Sequence, residues 1–390
     1  MIPLNPHLRA TDAPPVMEAR RWLDGKRFPD DKPLLNFSQA APVEPPPLPL
    51  REAMAAMVLD RPEAHLYGPV LGLPDLRAAI ARDWSSAYRG AVAPEQVAVT
   101  AGCNEAFAAA MATLAGPGDE VLLATPWYFN HKMWLDMAGV TTVPLPTDAT
   151  LAPDPGTARA LLTERSRAIV LVTPNNPGGV EYAPERLAAF AALAREAGIA
   201  LVVDETYRDF HSAEGPPHAL FADQGWDDTL IQLYSFSKAY RLTGHRVGAL
   251  LASPPRLAEV EKFLDTVTIC PPQLGQLAAL WGMENLGEWL AAERREVLAR
   301  KRAMVAGLNR LKGWRCLGAG AYFAYVEHPF DIPSPELAKL LVDKAHVLVL
   351  PGTMFRPAGD PAGLRELRFA FANADAAGLH DLMDRLAALG

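Results

Sequence analysis

Cysteine is scarce. Cys103, Cys270 and Cys316 are the only three in 390 residues, widely spaced and without a C-x-x-C pair. That argues against a disulfide framework or a cysteine-built zinc site and fits a reducing compartment. Basic residues are few and dispersed: 37 Lys and Arg stand against 45 Asp and Glu, a net charge of −8. A nucleic-acid footprint needs a basic cluster, and none is found. Long apolar runs are also missing. The stretch LAAFAALAREAGIALVV is broken by Arg195 and Glu196, short of the roughly 20 residues of a membrane span. The N-terminal MIPLNPHLRATDAPP has no signal-peptide core. The enzyme signatures G-x-x-x-x-G-K-[ST], G-x-S-x-G and H-E-x-x-H do not occur. A G-x-G lies at Gly318–Gly320, but AYFAYVEH after it reads as a strand, against a dinucleotide fingerprint. What is present is a folded composition, 50% apolar and 21% charged, long enough for two or three domains. The expectation is a cytoplasmic α/β protein with no nucleic-acid or membrane partner and no metal.

Proline is abundant, with 36 residues and the densest run at Pro42–Pro49 (PVEPPPLP). Such a run cannot continue a helix and reads as a stiff, extended connector. Beyond it, apolar runs of strand length alternate with helical patterns. The runs are QVAVT (96–100), EVLLA (120–124), AIVLV (168–172), IALVVD (199–204), TLIQLYS (229–235) and VGALLAS (247–253). Helical segments such as 105–115 and 183–198 lie between them. Near-continuous apolar strands separated by helices predict a largely parallel sheet covered on both faces. After a long amphipathic helix at 291–311 the pattern changes to AYFAYVEH, HVLVLPG and ELRFAFAN, a second, smaller α/β unit. The expected division is an N-terminal segment 1–48 packing with the small domain, a large domain 49–275 and a small domain 276–390.

In open parallel sheets, ligands bind beyond the carboxyl ends of the strands. After QVAVT comes AGCNEAF, a glycine turn opening a helix, whose N–H groups suit an anion such as a phosphate. After AIVLV comes TPNNPGG; IALVV ends in Asp204, followed by Glu205, Thr206 and Tyr207. After TLIQLY come Ser235, Ser237 and Lys238, then Arg246 in the turn GHRVG. Singly these are ordinary features: a turn, an N-cap aspartate, a solvated lysine. Converging on one sheet edge, they describe a site for a phosphorylated, protonated, aldehyde-bearing cofactor.

With SFSKAYRLTGHRVG, TPNNPGG, DETYRDF and RFAFAN in this order, the chain resembles the fold-type I pyridoxal-phosphate enzymes, the class I/II aminotransferases. The resemblance runs from about Tyr67 to Asn373. It implies an aspartate-aminotransferase-like fold: a mostly parallel seven-stranded sheet sandwiched by helices, with a smaller α/β domain built from both chain ends. It further implies a homodimer with composite active sites, and transfer of an amino group from an L-amino acid to a 2-oxo acid by a ping-pong route. On that resemblance Lys238 forms the Schiff base and Asp204 pairs with the pyridine nitrogen. Asn176 and Tyr207 hydrogen-bond the ring O3′, and Tyr128 stacks on the ring where it is not simply a core aromatic. Ser235, Arg246 and the N–H groups of Ala101, Gly102 and Cys103 hold the phosphate, joined by Tyr67 from a neighbouring subunit. Arg368 clamps the substrate carboxylate, whose planar form suits a guanidinium fork, and His131 backs Asp204.

The chain departs from the family pattern in three places. Ala40 and Ala41 stand where many members have a glycine touching the substrate carboxylate, so Ala40 could narrow the substrate site. Gly178 stands where threonine is common, and Cys103 where a hydroxyl residue is frequent. A pyridoxal-phosphate C–S β-lyase is the alternative on the same scaffold. The aminotransferase-like sensor domain of a transcription regulator is a remoter one, because the segment before the proline run is too short for a DNA-binding module. The stretch 265–276 (DTVTICPPQLGQ) has no basic residue to bind a distal carboxylate. Arg356, in PGTMFRPAGD, is either a solvated loop arginine or a replacement charge at the substrate mouth.

Overall fold

The computed structural model describes residues 2–389. Strand β1 (Leu35–Asn36) follows two short helices, Pro6–Ala10 and Pro15–Arg21. The large sheet is built from β2 (Val97–Thr100), β3 (Glu120–Thr125), β4 (Thr141–Pro146), β5 (Ser166–Val172), β6 (Ala200–Asp204), β7 (Leu230–Ser235) and β8 (Gly248–Leu251). Its spatial order is β2-β8-β7-β6-β5-β3-β4. All pairings are parallel except those of β8, which runs against β7 and β2. Strand alternation divides the core between two faces. Leu122, Ile169, Leu171, Leu201 and Val203 pack on one side under helices Pro74–Ala87 and Pro184–Ala197. Val121, Leu123, Val170, Val202 and Leu233 pack on the other under helices Cys103–Ala112 and Pro254–Val267. With both faces covered, the central strands are buried except at Arg167 near the start of β5, which is why they read as apolar runs.

Register explains the convergence of polar residues. Val172 is opposite Asp204, and Asp204 opposite Leu233, so β5, β6 and β7 end at the same edge. Gly248, where the reversed β8 begins, is opposite both Ser235 and Thr100. The chain after β2 and the chain before β8 therefore meet the ends of β5–β7 at one rim.

The smaller sheet contains β9 (Arg315–Gly320), β10 (Phe323–Glu327), β12 (Leu350–Pro351) and β13 (Glu366–Phe369), antiparallel in the order β12-β13-β10-β9. Strand β11 (Val347–Leu348) pairs instead with β1 from the other end of the chain. Helices Gly287–Leu308 and Ala376–Ala387 close the unit around Phe323, Phe369, Leu341 and Leu382. The N-terminal segment bridges both units: Ala19 is buried beside Leu348, Leu350 and Phe129, and helix Pro6–Ala10 rests on helix Phe129–Met137.

Three strands fall outside the runs expected from the sequence, the two-residue β1 among them. β4 carries Pro144 and Pro146 and has only one fully buried residue, a pattern tolerated because it is an edge strand. β9 is half-buried and glycine-rich. The glycines at 318–320 have a packing reason: a Cβ on Gly320 would lie 2.1 Å from the Gly179 oxygen, and one on Gly318 2.5 Å from the Gly178 oxygen. The TPNNPGG loop and β9 thus pack backbone to backbone where the two units meet. Among the described residues no helix is long and apolar enough to cross a membrane.

Candidate active site

Beyond the shared rim lies a cavity of about 330 Å³ lined by residues from both units and from the N-terminal segment. Ala40, Cys103, Tyr128, Asn176, Asp204, Tyr207, Ser235, Lys238, Arg246 and Arg368 all line it.

Lys238 sits on the one-turn helix Phe236–Ala239 that follows β7 directly, started by Ser235, whose hydroxyl accepts from the Ser237 N–H at 3.2 Å. Its Nζ donates to the Ala40 carbonyl at 2.5 Å. Burial, together with the positive charges of Arg246 and Arg368, lowers its pKa from the usual lysine value to about 8.

Asp204 ends β6 and is buried. Burial alone would raise its carboxyl, but His131 and Thr206 outweigh that and hold it below the usual carboxylate value. The Thr206 N–H donates to Oδ1 at 2.9 Å. His131 Nε2 lies 3.2 Å from Oδ2, a close polar contact without the alignment of a hydrogen bond. Helix Phe129–Met137 supplies His131, and the fully buried Phe107 stacks on its ring at 3.9 Å between centroids. Tyr128 closes the other side of the imidazole edge-on, 5.0 Å away.

Arg368 lies on β13 and is 2% exposed. Nη1 donates to Asn176 Oδ1 at 2.9 Å and Nη2 to the Ser38 carbonyl, while Nε has no partner. Phe355 and Phe323 flank the guanidinium at 4.8 and 4.9 Å. Burial pushes its pKa down to about 10, with the nearby tyrosines opposing. Tyr207 packs edge-on against Phe323 at 5.3 Å, which fixes its ring beside the cavity.

The phosphate-type rim is tightly built. Arg246 has a left-handed backbone, φ +47°, which swings its guanidinium over the β2 loop. There it donates to the Thr243 carbonyl at 3.1 Å and, at 3.4 Å, to the Ala101 carbonyl and the Ser237 hydroxyl. Gly102 has φ +90°, and a Cβ there would lie 2.2 Å from Arg246 Nη2, so only glycine fits.

Two expectations need correction. The Ala101 N–H donates to the Glu105 side chain and the Gly102 N–H to the Thr100 carbonyl at 2.8 Å, so neither is free for a phosphate. The N–H groups that find no acceptor among the described residues are those of Cys103 and Asn104, which open helix Cys103–Ala112. Arg356 is neither solvated nor at the cavity. Its Nε and Nη2 grip Glu366 at 2.5 and 2.7 Å, and Asp360 lies 3.3 Å from Nη1. Tyr67 stands apart from the cavity and is 80% exposed.

Sequence reasoning gave no role to Asn104, Thr206, Gln39 and Arg20, and noted Ser237 at the strand end without one; all five also line the cavity. Thr206 and Ser237 stood inside quoted motifs and could have been found; Arg20 carried no signal, because nothing in its surroundings resembles a site.

The donor set suits pyridoxal phosphate. A buried arginine with an unpartnered Nε and no carboxylate calls for an anion. Two hydroxyls, a guanidinium and two free helix N–H groups would suit a phosphate, and an ionised carboxylate lines the same cavity as the lysine. A profile of the family described as aminotransferase class I and II matches residues 32–386. The chain is 32% identical to the aromatic aminotransferase ISS1 of Arabidopsis thaliana, over 82% of this chain and 81% of that one. With the valine–pyruvate aminotransferase of Mycobacterium tuberculosis it shares 31% over 88% of each. Among solved structures, N-succinyldiaminopimelate aminotransferase from Mycobacterium tuberculosis superposes with a TM-score of 0.89 at 27% identity, covering both chains fully. Aspartate aminotransferase from Thermus thermophilus with maleate superposes at 0.90 and 24% over the same coverage, a likeness of fold. The chain belongs to the class I and II aminotransferases and is a pyridoxal-phosphate-dependent aminotransferase.

Proposed function

We propose that Lys238 holds the cofactor and carries the substrate's α-proton, while Arg368 receives the α-carboxylate. The observation that carries this reading is Arg368 itself, a buried cation with an unpartnered Nε in the same cavity as the depressed lysine. Pyridoxal phosphate, when bound, supplies an electron sink for the pair left behind when the substrate loses its α-proton. Around it the chain's own groups divide the work. With its pKa near 8, Lys238 is partly neutral in ordinary buffers, the form that attacks a carbonyl carbon and accepts a proton at Nζ. Asp204, held ionised by His131 and Thr206, keeps a proton on the ring nitrogen. Asn176 and Tyr207 offer polar atoms to the ring hydroxyl, and Tyr128 offers a ring face. Ser235, Ser237, Arg246 and the N–H groups of Cys103 and Asn104 form the phosphate subsite. Ala40 fastens Lys238 through its carbonyl and bounds the substrate space.

The active unit is a homodimer in this reading. Tyr67 and its neighbour Leu66 are exposed, as are Leu59 and Ile269, large apolar side chains of the kind that a second copy covers. Tyr67 would then reach a neighbour's phosphate subsite. The chain divides into a large unit 49–275 and a small unit 276–390, with 1–48 strapped across both. The decisive assay mixes the holoenzyme with amino donors and 2-oxo acceptors. The donor's 2-oxo acid should form only when an acceptor is present; ammonia released without an acceptor would point to elimination instead.

A further inference from the structure

Four cationic side chains line the cavity: Arg20, Lys238, Arg246 and Arg368, against a single carboxylate, Asp204. Three of them have work in the reading above, on which this inference rests. Arg20 does not. It lies near the end of helix Pro15–Arg21, and Pro14, Val16 and Met17 of the same segment line the cavity with it. Its Nη2 donates to Gln39 Oε1 at 2.6 Å. Among the described residues its side chain has no other hydrogen-bond partner and no carboxylate within 4.0 Å. A guanidinium carries five donors, so four remain.

Gln39 sits between two residues that hold the other working cations. The Ser38 carbonyl accepts from Arg368, the Gln39 side chain from Arg20, and the Ala40 carbonyl from Lys238. Three consecutive residues thus orient the proposed carboxylate clamp, the proposed reacting amine and a third cation without a carboxylate partner around one space. The two other sources of a distal charge that the sequence suggested are absent or occupied. The stretch 265–276 has no basic residue, and Arg356 is committed to Glu366 and Asp360.

We propose that Arg20 is a specificity-determining residue that receives the side-chain carboxylate of a dicarboxylic amino acid or 2-oxo acid, with Arg368 holding the α-carboxylate. The short N-terminal helix, rather than the 265–276 stretch, then reads the acidity of the substrate.

The test uses two carboxylates that have neither amino nor oxo group and cannot react: succinate, with two charges, and 3-phenylpropionate, with one. Their dissociation constants on the holoenzyme are measured by calorimetry for the wild type, Arg20→Gln and Arg20→Lys. Arg20→Gln should weaken succinate by about tenfold or more, the size of a lost charged hydrogen bond, and change 3-phenylpropionate by less than about threefold. Arg20→Lys should recover part of the succinate affinity. Unchanged succinate binding in Arg20→Gln, or equal weakening of both ligands, overturns the assignment. Arg368→Leu examines the underlying reading separately: it should weaken both ligands, and if it weakens neither, the α-carboxylate site is elsewhere whatever Arg20 does.

Discussion

Asn176 and Arg368, 192 residues apart in sequence, are joined by a 2.9 Å hydrogen bond from Nη1 to Oδ1 that ties β13 of the small unit to the loop after β5 of the large one. The bond fixes the guanidinium from one side while Nε has no partner. A buried cation without a counter-charge is costly, and an arriving carboxylate removes that cost. If Arg368 receives the substrate carboxylate as proposed, substrate binding and the contact between β13 and the loop after β5 are coupled through one side chain.

Replacing Arg368 should affect every amino donor alike, because every donor has an α-carboxylate. Arg368→Lys keeps the charge but loses the fork, and kcat/KM should fall by about 10- to 100-fold, the size of one to two charged hydrogen bonds. Steady-state kinetics over acidic, aromatic and aliphatic donors measure it. A loss confined to one donor class would assign Arg368 to the side chain instead.

Lys238 should destabilise the cofactor-free protein in a pH-dependent way. Its folded pKa, about 8, lies below the usual lysine value of 10.5. Below pH 8 the amine is charged in both folded and unfolded chains, and the burial cost is fully present. Between about 8 and 10.5 the unfolded chain holds the extra proton, so stability rises with pH through that window. Lys238→Met should therefore stabilise the apoprotein at pH 7 by about 1–3 kcal/mol, with the gap closing towards pH 10.5. Denaturant titrations at several pH values read the difference directly.

Asp204→Asn keeps the shape of the side chain and removes its charge. Turnover should fall by at least about tenfold while the melting temperature changes little. His131→Phe should reproduce a smaller part of the same loss, since His131 acts only by keeping Asp204 ionised and in place. Comparing kcat of both variants with bound cofactor checks the order of the effects.

The parts of this fold that could be read from sequence were those where one force dominates. The central strands are buried on both faces, so hydrophobic burial writes them as apolar runs and leaves their polar ends conspicuous. Lys238, Asp204 and Arg246 were legible because register brings strand ends to one rim. What was not legible depends on how short loops fold back on themselves and on tertiary packing, neither of which the order of residue types states. Ala101 and Gly102 were expected to bind phosphate, but the Glu105 side chain and the Thr100 carbonyl take their N–H groups. Nothing in the residue order announces that the loop before β13 folds Arg356 onto Glu366 at the start of that strand. β4 was hidden by prolines that an edge strand tolerates, and Arg20 by a short helix whose place over the cavity is set by tertiary packing alone.

The dimer should be needed for full activity. Sedimentation at micromolar concentration should show a species of about twice the 42.2 kDa chain mass. Tyr67→Phe, which removes a hydroxyl from an exposed side chain, should leave the monomer's fold intact yet make the assembled enzyme lose cofactor faster on dialysis. A fully active monomer would contradict both expectations.

The most direct test of the account is to reduce the holoenzyme with borohydride, digest it and locate the cofactor mass by peptide sequencing in the mass spectrometer. The account predicts the pyridoxyl mass on Lys238, in the peptide following Ser237, and no such adduct in Lys238→Ala. An adduct on a different lysine of the wild type, or no covalent adduct in an enzyme that still transaminates, would contradict it.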